Sequence, residues 1–303
     1  MSIYQFGHII RLRREDLGIT QEELADGVCS VPTLSRIENG ERMPNKAHVE
    51  MLLQRLGYSD AMSYVYVDRN ELQRHELKYK IRQAVLFNQL QNAREYLDKY
   101  IQLTDKPTQI ESQFIILYGT LTDATMDMTS KLRQLKKAIL LTCPRYEESK
   151  LPKFLSYEEI IILNNIAGCY SAKKEYEQSI HILYHIKRYY ENHMFNTEEV
   201  LRTQPLILYN LSKCLGAASH YDECIEICDL GIRTARETGR CGYLAWLFYN
   251  RAWALIHRNN NGDDMLCRDS IQNAIYTATI LAQGTAIDHF RNFLKQHFPT
   301  DNY

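Results

Sequence analysis

The sequence predicts an all-α protein: a small N-terminal group of short helices followed by a long run of helical hairpins. Three observations predict it. Glycine (13) and proline (7) are sparse among 303 residues, which disfavours turn-rich β structure. Apolar residues recur at helical spacing along most of the chain. A helical segment near residue 163 recurs near 208 and 248, the mark of a repeat architecture.

Composition narrows the function classes. A hydrophobic content of 45% supports a sizeable core, and a net charge of −1 gives no global sign of a nucleic-acid partner. The chain has no apolar run of about 18 residues, and its first eight residues lack a signal peptide's basic-then-apolar layout. A cytoplasmic protein with no membrane partner is expected. Of the eight cysteines, Cys143, Cys169, Cys214, Cys224, Cys228 and Cys267 mostly fall in apolar helical patterns and read as small buried hydrophobes. Cys224 and Cys228 stand one turn apart, as do His181 and His185. Without a second pair of matching spacing they read as core and as exposed helix face. No Gly-rich phosphate loop, Ser/His/Asp or Cys/His signature is present. Neither catalysis nor a cofactor is expected.

The N-terminal elements follow from caps and stripes. Residues 5–17 form a first helix with Phe6, Ile9, Ile10 and Leu12 as its apolar stripe, stopped at Gly18. Thr20 with Glu23 is a capping box opening a second helix, with Leu24 and Ala25 inward, that Gly27 ends. Ser30 caps a third from Val31 to Glu38, with Pro32 in its first turn and Leu34 and Ile37 as core contacts. After Gly40, Pro44 and Asn45 open a fourth helix carrying Val49, Leu52, Leu53 and Leu56, closed by Gly57. Two short helices joined by a tight turn and braced by flanking helices make a helix-turn-helix.

Here a resemblance becomes specific. Ile19-Thr20-Gln21-Glu22-Glu23-Leu24-Ala25, then Leu34-Ser35-Arg36-Ile37-Glu38-Asn39-Gly40, then Pro44 resembles the Xre-type helix-turn-helix. The resemblance implies a five-helix DNA-binding domain over residues 1–66, with the third helix in the major groove. Ser30, Val31, Pro32, Thr33 and Arg36 would then face base edges, Thr33 and Val31 suiting a thymine methyl and Arg36 a guanine or phosphate. Gln21, at a helix N-terminus, would hold a phosphate. Arg11, Arg13, Arg14, Arg42 and Lys46 are further candidates for phosphate contacts. Seven Lys/Arg face nine Asp/Glu over residues 1–66, so a monomer would bind DNA weakly. That implies a homodimer on an inverted-repeat operator, or else a recruited module that no longer binds DNA.

A linker is expected over 67–76, and a second domain over 77–303. Leu163 to Tyr170 matches Leu208 to Leu215 at an offset of 45 residues, and a third copy begins at Phe248. The following helices match too: Tyr176 with Tyr221, Ser179 with Cys224, Leu183 with Cys228, Ile186 with Gly231. The third copy's second helix is placed near Asp269 to Ala282, after an Asn259-to-Gly262 loop. Two weaker hairpins precede these, near 77–103 and 110–142, and 285–298 would be a helix that caps the end or pairs with a second subunit. The units resemble tetratricopeptide repeats, implying a right-handed α-solenoid of about five hairpins. Asn165, Asn210 and Asn250 occupy one equivalent place on successive first helices. They either hold the backbone of an extended peptide, as asparagines at this place do in tetratricopeptide domains, or bond neighbouring helices within the stack. Tyr209, Lys213, Trp246, Tyr249, Arg251, Trp253 and His257 lie on the same helices and could form side-chain pockets.

Both halves together resemble the Rgg/PlcR peptide-pheromone (quorum-sensing) regulators of Gram-positive bacteria. That resemblance implies a transcriptional regulator binding double-stranded DNA and a short signalling peptide in its concave groove. A regulator of this architecture sensing a protein partner, and a peptide-controlled adaptor without DNA binding, are the alternatives.

Overall fold

The computed structural model describes residues 3–57, 69–192, 198–258 and 263–298. Among these the secondary structure is fifteen α-helices and one 3-10 turn (Cys241–Tyr243) with no strand, and no helix is long and apolar enough to cross a membrane. The chain divides into a first compact unit ending at Cys169 and a second starting at Tyr170.

The first unit opens with α1 (Ile3–Asp16), α2 (Gln21–Ala25), α3 (Val31–Glu38) and α4 (Lys46–Arg55). Local signals set their ends as expected. Thr20 and Glu23 form the reciprocal capping box of α2, Ser30 accepts the Thr33 N–H, and Asn45 accepts the His48 N–H. Gly18, Gly27, Gly40 and Gly57 all take positive φ, which an L side chain disfavours. Ile10, Leu24, Leu34, Ile37, Leu52 and Leu56 are buried to within 1%. Leu12, expected in the stripe, is 48% exposed, because it lies about 200° round the helix from Ile10. The Phe6 side chain and any fifth helix over 58–66 lie outside the described residues.

Hairpins follow: α5 (Arg69–Leu86) with α6 (Leu90–Gln102), then α7 (Gln109–Thr122) with α8 (Met128–Thr142). The chain is helical from Arg69, so most of the segment expected as a linker belongs to α5; residues 67 and 68 lie outside the described residues. Next come α9 (Tyr157–Ala172) and α10 (Tyr176–Asn192), and the boundary between the units falls within α9.

A polar cluster holds the helix-turn-helix onto α8 and α9. Arg55 donates to Leu24 O (3.2 Å) and Asp26 O (2.6 Å) with one terminal nitrogen, and to Thr142 O (3.1 Å) and Glu159 Oε1 (3.0 Å) with the other. Glu159 also accepts from Thr142 Oγ1 (2.7 Å), Cys143 Sγ (3.2 Å) and the Ser156 N–H (2.6 Å). A Cβ on Gly27 would lie 1.7 Å from Thr142 O, so the turn between α2 and α3 sits directly against the end of α8. Outside this cluster Arg145 reaches Asp26 and Glu22, and Lys153 reaches Glu23.

In the second unit α11 (Glu198–Ala217) pairs with α12 (Tyr221–Thr238), and α13 (Leu244–Arg258) with α14 (Asp263–Ile280). Small residues let these helices cross. A Cβ on Gly231 would lie 2.8 Å from Leu247 Cδ2. α14 starts six residues before the expected Asp269, where Asp263 and Asp264 suit the positive end of a helix. α15 (Gly284–His297) buries Phe290, Phe293 and Leu294 against Ala252, Leu255 and Ile271, as expected of a cap. All eight cysteines are free, and among the described residues no group of three His, Cys, Asp or Glu could hold a metal ion.

Removing one partner of the fully buried Arg55–Glu159 pair leaves an uncompensated charge, so Glu159→Ala should cost about 3–5 kcal/mol in a chemical-denaturation midpoint analysis. Burial pushes the Glu159 carboxyl up, but Arg55 and the Ser156, Thr142 and Cys143 donors outweigh it and hold the group below its ordinary value. A depressed carboxylate contributes stability above the unfolded-chain value of about 4.3, lost as pH falls through the lower native value. Glu159→Gln should therefore flatten the acid limb of the stability–pH curve below about pH 4. An acid limb identical to that of the natural chain would show that Glu159 is not the group being protonated.

Candidate functional site

Helix α3 presents one exposed end. Ser30 Oγ accepts the Thr33 N–H (3.3 Å) and lies 2.9 Å from Thr33 Oγ1. These hydroxyls stiffen the first turn while staying near the surface. Val31 is 39% exposed although apolar, and Pro32 beside it is exposed. Arg36 follows on the same helix, exposed and without an ion pair among the described residues. Leu34 and Ile37, fully buried, anchor the opposite face, so the outward side chains ride on a fixed helix. Arg42 is exposed just beyond.

Other expected phosphate contacts point elsewhere. Arg14 is buried and grips Glu38 with two bonds (2.6 and 3.0 Å) while donating to Ile19 O at 2.9 Å. That set makes it a strut between α1 and α3, unable to reach a phosphate without breaking the pair. Gln21 donates its side-chain amide to the same Glu38 (2.7 Å), so this amide braces the helix pair. Arg13 donates to Leu56 O (3.2 Å), and Arg11 pairs with Glu15 one turn away (3.0 Å). The Lys46 side chain lies outside the described residues.

The second unit holds a cavity of about 400 Å³. Two helical faces make most of it. Tyr209, Lys213 and Gly216 recur at one-turn spacing on α11, and Trp246, Asn250 and Trp253 do so on α13. Tyr249 joins them, and His289 comes from the capping helix. Six of the nine expected ligand residues thus come together: Tyr209, Lys213, Trp246, Tyr249, Asn250 and Trp253. His257 is exposed and outside the lining, stacked on Trp253 at 3.8 Å. Arg251 faces away, bonded to Asp229 and Ser270.

The three equivalent asparagines have different surroundings. Asn250 lines the cavity and donates to Ser212 Oγ on α11 (2.9 Å), so its amide nitrogen does tie neighbouring helices while its oxygen accepts nothing among the described side chains. Asn165 donates to Ile161 O of its own helix (2.8 Å) and belongs to the first unit. Asn210 is half-buried and not among the lining residues, since it lies about 100° round α11 from Tyr209.

Spacing did not reveal the cavity's aromatic support. Trp246 and Tyr249 both pack on Phe290, at 4.9 and 5.1 Å between ring centroids, and Tyr209 stacks on Tyr243 at 5.4 Å. Gly216 makes room for Trp253, whose ring would lie 3.2 Å from a Cβ there. A glycine inside an apolar helix was the available signal; nothing in the repeats pointed to His289. Burial pushes the phenols of Tyr209 and Tyr249 above their ordinary value, so both stay neutral donors at physiological pH. The cavity is an aromatic cage with one exposed ammonium, Lys213, at its edge.

Comparison with known proteins matches residues 10–61 to a helix-turn-helix family and residues 131–286 to the RNPP family C-terminal domain. Curated proteins gave no match. Solved structures share the fold. PlcR of Bacillus thuringiensis in complex with the peptide PapR7 and DNA aligns with TM-score 0.61 at 18% identity, over 95% of this chain and 99% of that one. ComR of Streptococcus vestibularis aligns in its apo form with TM-score 0.54 at 17% identity, over 97% and 98% of the two chains. With its signalling peptide XIP the figures are 0.52, 16%, 95% and 97%. These likenesses establish helical repeats behind a helix-turn-helix. The match to the C-terminal domain spans more than half of the 303 residues, and the chain belongs to the RNPP family.

Proposed function

We propose that the chain is a transcription regulator that reads duplex DNA with α3 and takes a short signalling peptide in the cavity of α11 and α13. The observation that carries this is the presence, in one RNPP-family chain, of an outward recognition face and an aromatic cage of about 400 Å³. The PlcR structure, which holds a peptide and DNA, and the ComR structure, which holds a peptide, support the choice of partners.

Val31 and Thr33 supply apolar contact for a thymine methyl, and Arg36 a fork for guanine or phosphate. Arg42 adds a phosphate contact, Arg11 can add one by exchanging its exposed partner Glu15 for a phosphate, and Lys46 is a further candidate. Few free cations on a slightly acidic domain favour a homodimer on an inverted repeat. Residues 1–66 carry DNA reading, and residues 77–303 carry sensing and dimerisation, in the cytoplasm. Within the cage the peptide's side chains meet Trp246, Tyr249 and Trp253, its backbone the Asn250 oxygen, and a carboxylate Lys213. A peptide that favours one arrangement shifts the population toward it and changes DNA affinity, and DNA alters peptide affinity by the same factor.

Selection of bound duplexes from random DNA by the purified chain should recover an inverted repeat. On it Arg36→Ala should weaken binding by about 1–3 kcal/mol, whereas Arg14→Ala should lower the unfolding midpoint. Equal binding by Arg36→Ala and the natural chain would remove α3 from the interface. Trp246→Ala should abolish the change in DNA affinity produced by the peptide fraction of spent culture medium, leaving peptide-free binding intact. A response that survives would place the peptide outside this cage.

A further inference from the structure

A second cavity, of about 220 Å³, lies within the first unit, and its chemistry is unlike the aromatic cage. Four helices meet there. Glu50 comes from α4, Arg74 and Lys78 from successive turns of α5, Tyr100 from α6, and Thr108 and Glu111 from the start of α7, with His75 beside the α5 cations.

Tyr100 is fully buried, yet its hydroxyl has no hydrogen-bond partner among the described residues. A buried phenol normally finds one. The charged groups around it are only partly committed. Lys78 pairs with Glu50 at 3.5 Å, and Glu111 accepts the Thr108 N–H and hydroxyl, each at 2.9 Å. Arg74 makes one long bond, 3.4 Å to Leu103 O, and no ion pair among the described residues. All four charges act on the Tyr100 hydroxyl: burial raises its pKa, Lys78 and Arg74 oppose the rise, and Glu111 and Glu50 add to it. The phenol therefore stays a protonated donor.

The balance of charge selects the ligand. A simple anion would meet Glu50 and Glu111 as well as Arg74; a simple cation would meet Arg74 and Lys78. A molecule carrying both charges, one at each end, satisfies both sets. Its carboxylate would take the Arg74 fork and the Tyr100 O–H, and its ammonium the carboxylates. A cavity of about 220 Å³ has room for a small organic molecule and excludes a large one. We propose that this cavity is a second effector site, for a small zwitterion of the free α-amino-acid class. It lies between α4 and the first hairpins, and it does not rest on the peptide reading of the other cavity.

The test is direct binding to the purified full-length chain, without DNA or peptide, by calorimetry and by thermal shift. Each of the common amino acids is offered singly, with inorganic phosphate and succinate as anion-only probes and putrescine as the cation-only probe. At least one amino acid should bind saturably and raise the melting midpoint, and bind more tightly than any of the three controls. Tyr100→Phe removes a hydroxyl that bonds nothing among the described residues, so the fold should persist while affinity falls about tenfold. Arg74→Gln should weaken it about tenfold to a hundredfold. Failure of every amino acid to bind, tighter binding of phosphate, succinate or putrescine, or unchanged affinity in both variants would overturn the proposal. If Tyr100→Phe did not fold, Arg74→Gln alone would decide. A negative result here leaves the peptide-regulator reading untouched, because neither peptide nor DNA is in the assay.

Discussion

The placement of the helix-turn-helix in the first unit depends on one buried guanidinium. Arg55 sits at the end of α4 and reaches two carbonyls of the α2–α3 corner, one carbonyl at the end of α8 and the Glu159 carboxylate of α9. A buried ion pair adds little net stability over an apolar pair of the same volume, because both charges must be desolvated. Its effect is geometric. A planar fork with several acceptors in fixed directions permits one arrangement of the elements it joins, and lysine, a point charge, would not impose it. Gly27 adds a steric condition at the same place, since only a residue without Cβ admits the Thr142 carbonyl so closely. An electrostatic and a steric constraint therefore define the same docking of the corner from which α3 departs.

That docking also changes the electrostatics of the helix-turn-helix. Counted along the sequence, residues 1–66 are slightly acidic. In the fold, Glu38 is taken by Arg14 and Gln21, and the exposed carboxylates of α2 are met by Arg145 and Lys153 from beyond α8. The surface pairs are screened by salt and individually weak, but they reduce the negative field beside α3. Arg36 and Arg42 are exposed and make no ion pair among the described residues. A domain's sequence charge understates its attraction for phosphate when its acids are matched from elsewhere in the chain.

Legibility in the sequence followed the range of the interaction. The N-terminal helix boundaries were readable because each is decided by residues within a turn of it: the Thr20–Glu23 box, the Ser30 and Asn45 caps, and glycines at positive φ. The hairpins were readable because crossing helices need small residues at repeating places. The tight turns joining several pairs of successive helices were harder, since Asn88, Lys174, Ser219 and Ala282 take positive φ without a glycine. Each follows a helix whose last carbonyls are satisfied by the turn, as in the 2.9 Å bonds from Glu175 N to Tyr170 O and from His220 N to Leu215 O. Long-range pairing was not readable at all. Arg14 looks like a surface cation until Glu38, on another helix, is brought beside it. Ser156 and Glu159 have the spacing of a capping box, and the spacing says nothing of the arginine that joins them from α4.

The second unit shows why equivalent positions in a repeat need not do equivalent work. Asn165, Asn210 and Asn250 share one place in the pattern, but a cavity is bounded by whole helix faces, and on α11 the lining face is centred on Tyr209 and Gly216. There Asn210 falls outside the lining, while on α13 Asn250 falls inside. The difference follows from the aromatic side chains: α15 brings Phe290 under Trp246 and Tyr249, and Gly216 admits Trp253. Rings fixed from behind in this way lose little conformational freedom when a ligand arrives, which lowers the cost of binding. On the proposed reading, the rings supply area and shape, Asn250 one accepting oxygen, and Lys213 one charge. Apolar bulk in such a cage is discriminated weakly, by about 1–3 kcal/mol per methylene. Sharp selection among peptides would then have to come from the few polar groups, because a peptide that leaves the Asn250 oxygen buried and unpaired forfeits the cost of desolvating it.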